Sequence, residues 1–205
     1  CIRDRAPSVL PGDSAEFQFA ASMLGIPHPT GYPLYLILGK LFSLLPLGSV
    51  AYRLNLLSAV AAAGAVWAVY RAGRALGGLR PVAASVGAAL LMVSGTFWSQ
   101  ATIAEKYALN AFFAALTLWL ILQWRAERLA GRRARGWLIA WAVAYGLSLA
   151  HHRTMLLFAP AFLVLLWFTD RSCFAWPTIW RMAVAALAPL ALYGLLPLFS
   201  ALYNS

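Results

Sequence analysis

"GWLIAWAVAYGLSLAHHRTMLLFAPAFLVLLWFT", residues 136–169, is apolar on both sides of one polar break, His151-His152-Arg153. As a single helix it would be about 50 Å long, against a bilayer hydrocarbon core of about 30 Å. Two short helices meeting near one membrane surface fit that thickness. The choice sets the topology of everything beyond it. With two crossings, Arg71, Arg74 and Arg80 share a side with Arg125, Arg128, Arg132, Arg133 and Arg135, and with Arg171 and Arg181. With one crossing the last pair moves to the opposite side. Short arginine-rich loops collect on the cytoplasmic face, so the charges favour two crossings.

Working outward, uncharged runs cover 54–70, 81–104, 107–124 and 182–205. Each is long enough to span a bilayer. With the two halves of 136–169 they predict an all-α polytopic membrane protein of six transmembrane helices. Composition agrees: 62% of the 205 residues are hydrophobic and 11% charged, with a mean hydropathy of +0.74. Soluble domains carry about a quarter charged residues. The net charge of +10 does not indicate nucleic acid, because the basic residues sit in short loops between apolar runs and not along one face.

Residues 1–50 precede the first span and read as an extracytoplasmic loop. Within it, 14–24 predicts a short amphipathic helix capped by Asp13 or Ser14. Residues 32–47, bracketed by Pro33 and Pro46, predict a helix lying in the interface with Lys40 reaching toward the headgroups. The whole, 1–205, reads as a single membrane domain, with 1–50 as the loop and 51–205 as the bundle. It begins at Cys1 and stops inside an apolar stretch, so it reads as a fragment truncated at both ends. Cys1 and Cys173 fall on opposite sides in this topology and are not expected to pair.

The same topology puts Asp4, Asp13, Glu16, Glu105 and all three histidines on the outer face. A helix start alone would explain Asp13 and Glu16. It does not explain the neighbouring "PHPTGYP", 27–33, whose prolines and Gly31 hold a rigid turn around His28. Glu105 and Lys106 lie at the mouth between the second and third spans, where an ordinary interfacial turn with Trp98 and Tyr107 as belt residues is the plainer reading. His151, His152 and Arg153 stand at a membrane-level break, where ionisable groups are costly and usually functional. Arginine suits bidentate phosphate binding. A metal held by Asp13, Glu16, His28, Glu105, His151 and His152 has no supporting ligand spacing, so no metal and no resident cofactor are expected. No phosphate-binding glycine loop, GxSxG or HExxH occurs.

"LPGDSAEF", "GIPHPTGYPLYLILGKLFSLLP", "RLNLLSAVAAA", "FWSQATIAEKYALNAF" and "LSLAHHRTMLLFAP" occur in that order from about residue 7 onward. Together they resemble a family of bacterial and eukaryotic multi-span proteins long catalogued as a domain of unknown function. Its eukaryotic member is a protein O-mannosyltransferase of the endoplasmic reticulum. The family is similar to the GT-C superfamily of polyprenyl-phosphate-sugar-dependent glycosyltransferases. The resemblance implies a GT-C-like fold in a bacterial plasma membrane, with the active site on the extracytoplasmic face. Asp13 then occupies the place of the catalytic acidic residue in the first outer loop, with Glu16 beside it. "HPTGYPLY" resembles the turn bordering the lipid-phosphate pocket, which makes His28 and Tyr32 substrate-binding residues.

The implied donor is a sugar on a polyprenyl phosphate; the acceptor is a protein, glycan or lipid hydroxyl. Such a donor is already activated, so a phosphate loop is not needed. Asp13 would take the acceptor proton as general base. Arg153, His151, His152 or Lys106 would stabilise the leaving phosphate, Glu105 would complete the substrate site, and one displacement would invert the anomeric centre. The residues also accommodate a transporter or flippase of a lipid-linked or anionic substrate, built on the break at 151–153, and a non-catalytic scaffold.

Overall fold

The computed structural model describes residues 13–27, 31–77 and 80–203. These form helices joined by short turns, with no strand among the described residues. Helix α1 is Asp13–Met23, α2 Pro33–Ser43, α3 Val50–Ala75, α4 Pro81–Met92, α5 Gly95–Ala101, α6 Lys106–Leu129 and α7 Arg135–His151. A 3₁₀ turn at Arg153–Phe158 leads into α8, Ala159–Thr169. Another at Arg171–Phe174 precedes α9, Trp176–Leu187, which continues through Ala188–Leu195 into α10, Leu196–Tyr203.

Two buried clusters define the ends of the bundle. In one, Phe17, Tyr35, Leu54, Leu57, Leu109 and Phe113 pack together, joining α1 and α2 to the first turns of α3 and α6. In the other, Ala72 and Ala75 of α3 meet Trp119 to Trp124 of α6, Leu138 and Trp141 of α7, and Leu166 of α8. Helices α3 and α6 therefore run parallel, and the bent pair α4–α5 returns the chain between them. Helix α7 runs back from Leu138 in the second cluster to His151, whose ring meets the start of α6. The chain then descends from Met155, whose carbonyl accepts from the Tyr145 hydroxyl, to Asp170, which pairs with Arg128 at the end of α6. The last segment climbs from Cys173 to Phe199 in the first cluster. Six segments thus alternate in direction between the two ends.

By length and composition alone, three of them are long and apolar enough to cross a membrane: Val50–Ala75, Lys106–Leu129 and Trp176–Ala201. The bent pair makes a fourth if taken as one span. Residues 81–104, expected as one span, bend by 67° between α4 and α5. Val93 closes α4 and Ser94 caps α5 without a side-chain hydrogen bond. The 136–169 segment breaks at His152 as expected, leaving α7, Arg135–His151, and the apolar Arg153–Thr169, each shorter than the 18 residues of a full candidate span.

Helix α2 packs one face into the bundle. Pro33, Leu34, Tyr35, Leu36 and Gly39 are buried against α1 and α3. A Cβ on Gly39 would meet Ala21 Cβ at 2.5 Å and Leu54 Cδ1 at 2.9 Å, so only glycine lets the three helices approach this closely. Lys40 donates to the Ser22 carbonyl at 2.7 Å. It serves the last turn of α1 and does not extend toward headgroups. The loop into α3 is held by Arg53, whose guanidinium donates to the carbonyls of Ser43, Leu47 and Gly48. Ser49 caps α3, accepting from the Tyr52 amide at 3.2 Å.

Candidate active site

Four elements converge at the first cluster. Helix α1 begins at Asp13 and carries Phe17 one turn on. Gly31 and Tyr32 lead into α2 in left-handed conformation, with φ of 77° and 41°. For a tyrosine that conformation costs about 1–3 kcal/mol, and the surroundings hold it: the Tyr32 ring packs edge-on to Phe17 at 5.4 Å between centroids. It also lies 6.2 Å from His151 and 6.0 Å from His152. Pro33 starts α2 immediately after, its fixed φ suited to a first helical turn. A Cβ on Gly31 would meet Leu196 Cδ1 at 2.7 Å, so the turn is also wedged against α10.

Glu105 is the N-cap of α6 and Lys106 its first residue. Neither is the solvated interfacial turn that the sequence suggested: they are 8% and 6% exposed. The Lys106 ammonium lies 2.9 Å from Asp13 Oδ2 and 3.7 Å from Glu105 Oε2. The rings of Phe17 and Tyr107 lie 5.2 Å and 5.0 Å from it. The Asp13 side chain, by contrast, is 53% exposed. A cation buried among rings thus holds an anion that faces outward. Burial pushes the Glu105 carboxyl above its ordinary range, while Lys106 opposes that rise without cancelling it. The Glu105 amide is steadied by the Ser58 hydroxyl of α3 at 3.4 Å.

His151 is fully buried, and its Nε2 lies 3.0 Å from the Lys106 carbonyl. A carbonyl only accepts, so Nε2 carries the proton. His151 is therefore a brace tying the end of α7 to the start of α6. His152 is partly exposed; its Nδ1 accepts from the Thr154 amide at 3.3 Å. In the neutral ring this leaves Nε2–H as a donor. Burial and the nearby Lys106 lower its protonation range, so the neutral ring prevails.

Of the residues singled out from sequence, the fold brings Asp13, Tyr32, Glu105, Lys106, His151 and His152 together. Glu16 lies half-buried in the first turn of α1. Arg153 is exposed at the start of its 3₁₀ turn. His28 lies outside the described residues. Among the described residues no group of three or more His, Cys, Asp or Glu could hold a metal ion. Sequence reading missed Phe17 and Ser58, and the buried Gln18–Asn55 hydrogen bond of 3.0 Å that ties α1 to α3. Asn55 and Ser58 stand one turn apart in an apolar helix, and polar residues so placed were the available signal.

Residues 13–173 match the family model described as Protein O-mannosyl-transferase TMEM260 N-terminal domain. The chain is 37% identical over 159 residues to Protein O-mannosyl-transferase TMEM260 of Mus musculus. That alignment takes in 74% of this chain and 22% of the relative, so the chain spans well under half of the relative's length. No solved structure matches. The matched segment contains the whole cluster from Asp13 to His152, and the chain belongs to the TMEM260 N-terminal domain family.

Proposed function

We propose that this domain carries the base and the phosphate-facing groups of a glycosyltransferase. It moves a sugar, mannose by kinship with the mouse protein O-mannosyl-transferase, from a polyprenyl phosphate to a protein hydroxyl. The observation that carries the reading is the half-exposed Asp13 carboxylate fixed at 2.9 Å by a buried Lys106. The ammonium sets the carboxylate's position for an incoming hydroxyl.

In the reaction, Asp13 takes the acceptor proton as the acceptor oxygen bonds to the anomeric carbon. The anomeric carbon–oxygen bond breaks, and its electron pair leaves with the phosphate. The anomeric centre inverts. Because Lys106 is engaged with Asp13 and Glu105, the leaving phosphate meets the His152 N–H and the exposed Arg153, with Tyr32 alongside; His28 is assigned to the same role by the resemblance alone. Glu16 stands next to Asp13 as the second acidic residue. His151 positions Lys106 through its backbone. No metal or resident cofactor takes part.

We place the donor's polyprenyl chain in an apolar cleft of about 340 Å³ lined by Ala59, Ala62, Met92, Phe97 and Trp98. It lies against α3 at the bend between α4 and α5, with Met92 before the bend and Phe97 and Trp98 after it. Six crossings in a GT-C-like order are supported by the alternating direction of the six segments. The arginine-rich end then faces the cytoplasm and the cluster faces the extracytoplasmic side.

The test is to supply the full-length protein, in bilayers, with radiolabelled polyprenyl-phosphate mannose and a serine- and threonine-rich acceptor. Labelled acceptor of inverted anomeric configuration is expected. Donor translocation without a new glycosidic bond, or retention of configuration, would contradict the reading.

A further inference from the structure

We infer that the arginine-rich end of the bundle is a binding site for a phosphate-bearing lipid, with the headgroup against Arg133 and Arg135 and an acyl chain in the adjoining cleft between α7, α8 and α9. The inference does not depend on glycosyl transfer. The site lies at the opposite end of α6 from Lys106, about 35 Å along a 24-residue helix.

The polar half is a cavity of about 490 Å³ whose walls include Arg128, Arg133, Arg135 and Asp170. The single carboxylate there is already engaged: Asp170 pairs with Arg128, and its Oδ1 accepts from the Ser172 amide at 2.9 Å. Nearby, Arg132 pairs with Glu127, and Arg171 lies over the Trp167 ring at 4.7 Å. Arg133 and Arg135 make no ion pair among the described residues. Among the described residues the wall therefore carries an excess of positive charge that its one carboxylate does not neutralise. Arg135 also begins α7, whose N-cap is Ala134 and has no side-chain hydrogen bond, so the first amides of that helix add to the anion preference. Guanidinium forks match phosphate oxygens bidentately.

The apolar half is a second cavity of about 340 Å³ lined by Trp141, Leu163, Leu166, Ile179 and Met182. Cys173 lines both cavities. Leu138 lines the first, while Trp141 and Ala142, one turn along the same face of α7, line the second. Thr178 and Met182 repeat this step on α9. Polar and apolar halves are thus continuous along two helices. A soluble phosphate would use only the first half and a hydrocarbon only the second. An amphiphile with an anionic head uses both, and the surrounding bilayer supplies one.

The test is native mass spectrometry of the full-length protein in mixed micelles, titrated with phosphatidylglycerol or phosphatidylcholine, with glycerol phosphate as the soluble headgroup. Phosphatidylglycerol is expected to be retained about tenfold over phosphatidylcholine, as two charge-assisted contacts warrant. Arg133→Gln with Arg135→Gln should bring the ratio close to one. Arg133→Lys with Arg135→Lys keeps the charge but loses the fork, and should retain a ratio about two- to threefold above one. This lysine pair carries the test if the glutamine pair does not yield folded protein. Equal retention of both lipids by the wild type would overturn the inference, as would an unchanged ratio in the variants. Displacement of phosphatidylglycerol by an equal concentration of glycerol phosphate would assign the pocket to soluble phosphate and refute the lipid.

Discussion

Replacing Lys106 with methionine removes the ammonium while keeping an unbranched stem of similar length among Phe17, Tyr32 and Tyr107. The hydrogen bond to Asp13 at 2.9 Å, a contact between charged groups, is worth about 1.5–3 kcal/mol. Cation–π contacts to Phe17 and Tyr107 add about 0.5–1 kcal/mol each. Two effects offset these losses. Asp13, half exposed, regains water, and the burial of an ammonium at 7% side-chain exposure no longer has to be met. The net loss worked from the structure is about 2–3 kcal/mol, less than for a fully buried pair. Unfolding of the wild type, Lys106→Met, Asp13→Asn and the double variant in mixed micelles, followed by tryptophan fluorescence, isolates the pair. A coupling of about 1–2 kcal/mol is expected between the two positions. Strict additivity, or a Lys106→Met stability within about 0.5 kcal/mol of the wild type, would refute the buried pair as the anchor of Asp13.

Other perturbations test neighbouring parts. The Glu105 carboxyl is raised by burial, so the folded state binds its proton more tightly than the unfolded chain. That contribution to stability is present at acid pH and is lost as pH rises through the folded value. Glu105→Gln should therefore flatten the decline in melting temperature between acid and neutral pH, and an unchanged slope would count against it. Gly146→Ala should weaken the contact of α7 with α9, because the new Cβ would lie 2.1 Å from the Ala186 carbonyl oxygen. Overpacking of this kind costs about 1–3 kcal/mol, read as a lowered unfolding midpoint. Asn55→Leu leaves the Gln18 amide, 3% exposed, without its acceptor and should cost about 1–3 kcal/mol, whereas a neutral result would show that α1 is not tied to α3 through this bond.

The helical class and the break at 151–153 were legible in the sequence because hydrophobic run length and rare ionisable residues report directly on burial in lipid. The collection of Asp13, Glu105, Lys106 and both histidines at one end followed from counting spans and from loop charge. What was not legible depended on contacts between distant segments. Nothing local in "ATIAEKYALN" says that Lys106 is buried: that follows from Phe17 and Tyr32 arriving from α1 and the turn before α2. Lys40 looked free to reach headgroups until the last turn of α1 offered the Ser22 carbonyl. The bend at Ser94 interrupts an uncharged run whose one proline, Pro81, lies at its start and not at the bend. The close packing of α2 was not legible either, since Gly39 marks a close approach only when Ala21 and Leu54 are seen opposite it.

The most direct measurement compares wild type with Asp13→Asn in the full-length protein, at matched membrane levels, for transfer of labelled sugar from polyprenyl phosphate to acceptor. Asparagine keeps the size and the helix-capping capacity of the aspartate but cannot take up the acceptor's proton. Transfer should fall by a factor on the order of 100 or more, with the lipid donor still bound. Transfer within about twofold of wild type would leave Asp13 outside the chemistry and contradict the assignment of the Asp13–Lys106 pair as the active centre.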